Sequence, residues 1–180
     1  MNLSKETAIA YLRQHPILPD LDSSEDTERI LHEWTEVCEY FIENPCIEAI
    51  PLFISELAGG KSFEGFQYIN DVISQLPAEE IEPLFIEALS SPSESVRMWV
   101  AEFAGTLESS NTVLFDALLG RVEDVDEDCE VRSNCACTIY LLVQRGLIDW
   151  RPYKERITAL LNTENDEYII DCITQMINGE

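Results

Sequence analysis

The stretches IEPLFIEALSSPSESVRMWVAEFAGTLE, residues 81–108, and SNTVLFDALLGRVEDVDEDCEVRSNCACTIYLLVQRG, residues 110–146, decide the fold of this chain. In each stretch a short polar segment separates two runs in which apolar residues recur every three or four positions. The second runs carry the stripes Val96, Val100, Phe103, Ala104, Leu107 and Val131, Cys135, Ile139, Leu142. This spacing places the apolar side chains on one face of an α-helix. Each stretch is therefore predicted to be a helix, a short loop and a second helix.

The same pattern recurs along the chain. Leu84-Phe85 recurs as Leu114-Phe115, 30 residues later (114 − 84), and Val96-Arg97 recurs as Val131-Arg132, 35 residues later (131 − 96). A further Leu-Phe pair, Leu52-Phe53, lies 32 residues before the first one (84 − 52). Paired helices with such a period are typical of α-solenoids, in which each unit buries its apolar face against its neighbours.

The Leu-rich first helix, the small polar turn and the Val-Arg pair at the start of the second helix resemble HEAT repeats. The resemblance extends over residues 46–178. It implies an all-α fold, a short HEAT-like α-solenoid of paired antiparallel helices, about ten in number. We expect a single domain over residues 1–180, with N-terminal helices at 1–44 and repeat units at 45–180. HEAT-like folds often pair an arginine with a carboxylate of the neighbouring unit, so the resemblance implies such ion pairs for Arg97 and Arg132.

Polar residues before the apolar runs predict where several helices begin. Ser24, Ser62, Ser93 and Asn111 each precede such a run, and their side chains can accept hydrogen bonds from unpaired amides of the first turn. Asn44-Pro45 reads as the end of one helix and the start of the next, with asparagine as the cap and proline at the first position.

The charge of the chain restricts its partners. The 180 residues include 35 acidic and 11 basic side chains, which give a formal net charge of −24. Nucleic acids and anionic membranes would be repelled, so we expect neither as a partner and favour a basic protein. Since 46% of the residues are apolar, the chain is expected to fold despite its charge. No signal peptide and no membrane span are recognisable, so a cytoplasmic location is predicted.

The sequence offers no set of residues that would support catalysis or bind a metal. His32-Glu33 is a single His-Glu pair, whereas HEAT-like di-iron hydroxylases use several, and the other histidine, His15, lies in a predicted connector. Cys135 and Cys137 lie about 200° apart around a helix axis, so they are poorly placed to share a zinc ion. We therefore expect no enzyme activity, no metal and no cofactor, and we interpret the six cysteines as mostly buried, reduced thiols.

HEAT-like DNA glycosylases line a concave face with lysine and arginine, and this chain has the opposite charge. Between residues 30 and 96 Lys61 is the single base. The acidic side chains of this segment are Glu33, Glu36, Glu39, Glu43, Glu48, Glu56, Glu64, Asp71, Glu79, Glu80, Glu82, Glu87 and Glu94. This imbalance argues against DNA binding.

The acidic segment 123–130, EDVDEDCE, is the most distinctive loop. Asp124, Asp126 and Asp128 have the spacing of the first ligands of a calcium-binding loop. Such a loop needs glycine at its sixth position and glutamate at its twelfth, where this chain has Cys129 and Cys135. Two interpretations remain. The loop is either a solvated turn whose carboxylates stabilise the next helix, or a surface that presents carboxylates to a basic protein.

A small acidic chain without catalytic residues is predicted to be a non-catalytic protein-binding module. Its character is similar to that of acidic immunity proteins of bacterial contact-dependent inhibition systems, which implies a basic toxin, most plausibly a nuclease, as partner. The candidate partner-binding residues are Asp71, Glu102, Glu123, Asp124, Asp126, Asp128 and Glu130. The alternatives are a HEAT-like scaffold or assembly factor, or a ligand-binding enzyme akin to HEAT-like bilin lyases.

Overall fold

The computed structural model describes residues 3–16, 25–59 and 63–179, and in these ranges the chain is all-α, as predicted. The described residues form ten α-helices and no strand. The helices are α1 (Lys5–Gln14), α2 (Glu25–Glu43), α3 (Ile50–Glu56), α4 (Phe63–Ile73), α5 (Ala78–Ala88), α6 (Glu94–Ala104), α7 (Thr112–Glu123), α8 (Cys129–Gln144), α9 (Lys154–Thr163) and α10 (Glu167–Asn178). Short 3₁₀ turns lie at Ile47–Ala49, Leu57–Gly59 and Arg151–Tyr153. Within these ranges no helix combines the length and the apolar character that crossing a bilayer requires.

Two of the predicted helix starts are confirmed. The Ser93 hydroxyl accepts from the Val96 amide at 3.5 Å, and the Asn111 side chain accepts from the Val113 amide at 2.8 Å. Each interaction satisfies an amide that has no partner within its own helix. The predicted caps Ser24 and Ser62 lie outside the described residues.

The predicted restart of the helix at Asn44-Pro45 is wrong. The Asn44 side chain donates to the Tyr40 carbonyl at 3.0 Å and so completes the end of α2. A 3₁₀ turn follows at Ile47–Ala49, and α3 begins only at Ile50 with Pro51 in its first turn. Because its side-chain amide can also donate, this asparagine serves the helix that ends rather than one that begins.

The chain divides into two compact units, Met1–Leu84 and Phe85–Glu180, which we call the N-terminal unit and the C-terminal unit. The predictions of a single domain and of a solenoid stay predictions.

In the N-terminal unit α2 packs against α1 and α4, and α3 packs against α1. The core contains the fully buried side chains Leu12, Phe41, Ile50, Phe53, Leu57, Ile69 and Ile73.

Helix α8 is the centre of the C-terminal unit, since it packs extensively against α6, α7 and α10. The apolar stripes predicted for its second helices are all buried, including Val96, Val100, Val131, Cys135 and Ile139. Burial of each such aliphatic side chain contributes about 1.5–3 kcal/mol to folding. The apolar faces of α6 and α8 that the sequence periodicity predicts therefore form much of the core of this unit.

A buried hydroxyl joins α6 to α8 where α6 ends. The Gly105 amide donates to the carbonyl of Glu102 at 3.0 Å instead of that of Ala101. The Ala101 carbonyl accepts from the Thr138 hydroxyl at 2.7 Å, and Thr138 is 2% exposed. A Cβ atom at Gly105 would lie 3.0 Å from the Thr138 hydroxyl oxygen, so glycine permits this close approach of the two helices.

We expect Thr138→Val to destabilise the protein by about 1–3 kcal/mol, because the Ala101 carbonyl would stay buried without its donor. The change keeps the shape of the side chain and removes the hydroxyl alone. Thr158→Val, the same change at an exposed position of α9, is the control and should have an effect below about 0.5 kcal/mol. Urea unfolding of both variants measures the difference, and equal free energies of unfolding would contradict this role for Thr138.

Candidate functional site

Arg97, in the first turn of α6, binds a carboxylate from the next helix pair. Its Nε and Nη2 atoms donate to the two carboxylate oxygens of Glu127 at 2.8 and 2.6 Å. Its Nη1 atom donates to the Ser91 carbonyl at 2.7 Å. The Glu127 side chain is 2% exposed, so this bidentate pair is shielded from water.

Arg132 repeats this arrangement in the first turn of α8. It donates from Nε and Nη2 to the Val122 carbonyl at the end of α7, at 3.1 and 2.9 Å, and from Nη2 also to the Glu164 carboxylate. The Glu164 side chain is 5% exposed. The expectation that Arg97 and Arg132 make structural ion pairs with a carboxylate further along the chain is therefore confirmed.

These two arginines align three loops along one side of the C-terminal unit. Arg97 connects the loop at 89–93 to the loop at 124–128, and Arg132 connects the end of α7 to the loop at 164–166. We call these loops, together with the first turns of α6, α8 and α10, the acidic edge. Ser93, Asp128 and Asp166 cap the three helices at this edge.

Two further arginines of this region are also neutralised by carboxylates. Arg121 donates to Glu127 at 3.2 Å and lies 3.9 Å from Asp124. Arg156 donates to both carboxylate oxygens of Glu123, at 2.8 and 2.5 Å, and pairs with Asp116. The cations near the acidic edge are thus bound within the molecule.

These contacts lower the pKa values of Glu127 and Glu164. Hydrogen bonds from Arg97 lower the pKa of Glu127 despite its burial, with help from the Asp128 amide and Arg121. Burial would raise the pKa of Glu164, but the amides of Asp166 and Asn165 together with Arg132 lower it. Both side chains are therefore carboxylates at neutral pH.

Three of the predicted partner-binding residues hold local structure instead of pointing freely into solvent. Glu123 is bound by Arg156. Asp124 accepts from the Asp126 amide at 3.1 Å, and Asp128 accepts from the Glu130 amide at 2.7 Å as the cap of α8. These contacts support the interpretation of the loop as a turn that stabilises the next helix, while its binding to a basic protein stays a prediction.

The other predicted residues lie in different places. Asp126 and Glu130 are exposed on the acidic edge and form no ion pair with the part of the chain that the structure describes. Glu102 is exposed near the end of α6, about 12 Å along the axis from Glu94, and desolvation by neighbouring atoms raises its pKa. Asp71 is exposed on α4 of the N-terminal unit. The structure therefore groups Asp126 and Glu130 and leaves Glu102 outside the edge.

Three carboxylates at the edge were missed by the sequence prediction: Glu94, Asp166 and Glu167. Each lies at or next to the cap of α6 or α10, and Asp128 and Glu130 lie at the cap of α8 and two residues after it. The recurrence of a cap followed by glutamate was the signal that could have found them. Such carboxylates also interact favourably with the amino-terminal end of a helix.

Two exposed apolar side chains and a cleft complete the edge. Val125 is 80% exposed in the acidic loop, and Tyr168 is 52% exposed in the first turn of α10. A cleft of about 470 Å³ lies between the loop at 124–128 and the loop at 164–166. It is lined by Glu123, Val125, Arg132, Leu160, Thr163, Glu164, Asn165 and Asp166. Its lining is mixed and charged, unlike the apolar cavity that a bilin-lyase-like site needs. Among the residues described, no group of His, Cys, Asp and Glu is arranged to hold a metal ion.

Comparison with known proteins gives no relative. No protein-family model, no curated protein and no solved structure matches the chain. Its similarity to HEAT repeats stays a prediction from the sequence, and any function has to be inferred from its own residues.

We expect Glu127→Gln to destabilise the protein by about 3 kcal/mol, because Arg97 would lose a buried anionic partner. Glu130→Gln, the same change at an exposed position three residues later, should cost at most about 1 kcal/mol, the value of a favourable helix-dipole interaction. Chemical denaturation of the two variants measures both changes in the free energy of unfolding. If both variants unfold at the wild-type denaturant concentration, the Arg97–Glu127 pair contributes nothing.

The same pair predicts a dependence of stability on acidity. Because the pKa of Glu127 is lower in the folded chain than its ordinary value of 4.5, its contribution is present above about pH 4.5. The contribution is lost as the pH falls through the lowered value. Wild-type protein should therefore lose more stability than the Glu127→Gln variant between about pH 5 and pH 3, measured by thermal unfolding. If the stability of the two proteins falls equally with pH, the Glu127 carboxylate does not contribute as described.

Proposed function

We propose that this protein is a non-catalytic module that binds a basic protein through the acidic edge of its C-terminal unit. In the most concrete form of the proposal it is an immunity protein that blocks a nuclease toxin. The alternative is a scaffold function, for which the partner would not carry an excess of positive charge.

One observation carries this proposal: the arginines near the edge are bound to its own carboxylates, while further carboxylates remain exposed. Arg97, Arg121, Arg132 and Arg156 each have an anionic partner within the unit. The exposed side chains that remain are Glu94, Asp126, Glu130 and Glu167. The edge thus presents an excess of negative charge to an approaching molecule.

An excess of carboxylates on one edge suits a partner with a basic groove. A nuclease needs such a groove for its phosphate backbone, and an acidic inhibitor is attracted to it over several ångströms. The formal net charge of −24 adds a long-range field of the same sign. Electrostatic attraction of this kind increases association rates by about 10- to 1,000-fold at low salt.

The buried ion pairs also support a rigid interface. Glu127 and Glu164 fix the positions of two adjacent loops through arginines that reach from α6 and α8. A loop that is already ordered loses less conformational entropy on binding than a mobile one. Val125 and Tyr168 add exposed apolar surface to the same edge, which a partner could cover.

The proposal is tested by isolating partners at low salt and measuring what they do. We expect one basic protein that is released by moderate salt and whose nuclease activity disappears when the purified proteins are mixed. A partner without excess positive charge that stays bound at high salt would contradict the proposal and favour a scaffold. Recovery of no partner from the native lysate would also contradict it.

We expect the double change Asp126→Lys and Glu130→Lys to slow association with that partner by about tenfold or more at low salt. The control is Glu79→Lys with Glu80→Lys, which changes the net charge equally at exposed positions in the first turn of α5. Stopped-flow or surface-binding kinetics give the rates. Equal slowing by both variants would show that total charge matters and that the acidic edge does not.

A further inference from the structure

A buried glutamate lies in the N-terminal unit and takes no part in the proposed binding edge. Glu56, at the end of α3, is 3% exposed, and its Oε2 atom accepts from the Trp34 indole nitrogen at 2.7 Å. Its Oε1 atom is fully buried and has no hydrogen-bond partner among the residues that the structure describes. A carboxyl group in this position is costly to ionise, because among the described residues it has an indole donor and no ion-pair partner to offset its loss of hydration.

The groups around Glu56 come from three helices. Tyr11 of α1 donates its hydroxyl to the Ile30 carbonyl at 2.7 Å and stacks on His15, and Arg29 and Glu33 also lie near it. Cys38 of α2 is fully buried near both Glu56 and Glu39. Tyr68 of α4 contacts the Trp34 ring edge-on, with ring centroids 6.0 Å apart.

Within this cluster, Glu56 is the buried group whose charge changes near neutral pH. Burial raises its pKa from 4.5 to about 8, and the hydrogen bond from Trp34 only partly opposes that rise. Burial also raises the pKa of Tyr11 to about 12 and that of the Cys38 thiol well above its ordinary value. Tyr11 and Cys38 therefore stay neutral while Glu56 loses its proton.

We propose that Glu56 is a pH-sensitive latch of the N-terminal unit, closed while its carboxyl group is neutral and loosened when that group ionises. The neutral acid connects α3 to α2 through Trp34 inside the apolar core. The anion would need water, and water can reach it only if the packing of α1, α2 and α3 opens. The latch acts on this unit whether or not the acidic edge binds a basic protein.

The direction of the effect follows from the raised pKa. The folded chain holds this proton more tightly than the unfolded chain does, so the stabilising contribution of Glu56 is complete below about pH 4.5. It is lost as the pH rises to about 8. Over this range the population of the opened N-terminal unit increases by up to about 10-fold per pH unit from this group alone.

Hydrogen exchange of wild-type protein and of Glu56→Gln between about pH 5 and pH 9 tests the latch, after correction for intrinsic exchange rates. In wild-type protein the opening constants of α1, α2 and α3 should rise with pH by up to about 10-fold per unit relative to those of α8. In Glu56→Gln they should stay level, because the amide oxygen still accepts from Trp34 and cannot titrate. Equal pH dependence in the two proteins would overturn the proposal.

A second variant keeps the proposal testable if Glu56→Gln folds poorly. Trp34→Phe removes the donor that stabilises the ionised carboxyl group, so the pH dependence of opening should extend to higher pH than in wild-type protein. The readout is the pH at which the opening constants of α1 to α3 stop rising, which is independent of the loss of packing. An unchanged end point in this variant would also overturn the proposal.

Discussion

The buried ion pair between Arg97 and Glu127 is the interaction on which the order of the acidic edge depends most. Removing two charges from water costs several kcal/mol for each ion, and attraction between them offsets that cost only when the geometry is good. Here the contact is bidentate, and Arg121 and the Asp128 amide also donate to the same carboxylate. Arg132 repeats the arrangement with Glu164, which extends the constraint to the next pair of helices.

The ion pairs link the stability of this unit to its surface charge. Each arginine that orders a loop is neutralised by a buried or half-buried carboxylate, so it does not reduce the charge of Asp126 and Glu130 outside. In the N-terminal unit, by contrast, a buried carboxyl group has no arginine bound to it among the described residues. Glu56 has an indole donor in place of a guanidinium, and burial raises its pKa to about 8. The two units therefore respond to pH in opposite directions through these groups.

Much of this structure follows from the sequence, because apolar periodicity and helix caps are local signals. The resemblance to HEAT repeats also implied the ion pairs that Arg97 and Arg132 form with Glu127 and Glu164. Within the acidic loop, however, Asp126 and Glu127 look alike in sequence, and only the position of Arg97 makes one buried and the other exposed. Glu56 is one more carboxylate in an acidic segment, and its burial depends on a tryptophan 22 residues earlier. Such distinctions arise from tertiary contacts that no local pattern encodes.

The most direct test of this account is a double-mutant cycle with Arg97→Met and Glu127→Met, measured by urea unfolding of the two single variants and the double variant. We expect a coupling energy of about 1.5–3 kcal/mol, with the double variant less destabilised than the sum of the single changes. The double variant should also be more stable than Glu127→Met alone, because no unpaired buried charge remains. A coupling energy near zero would show that the two side chains act independently and would contradict the central role given to this pair.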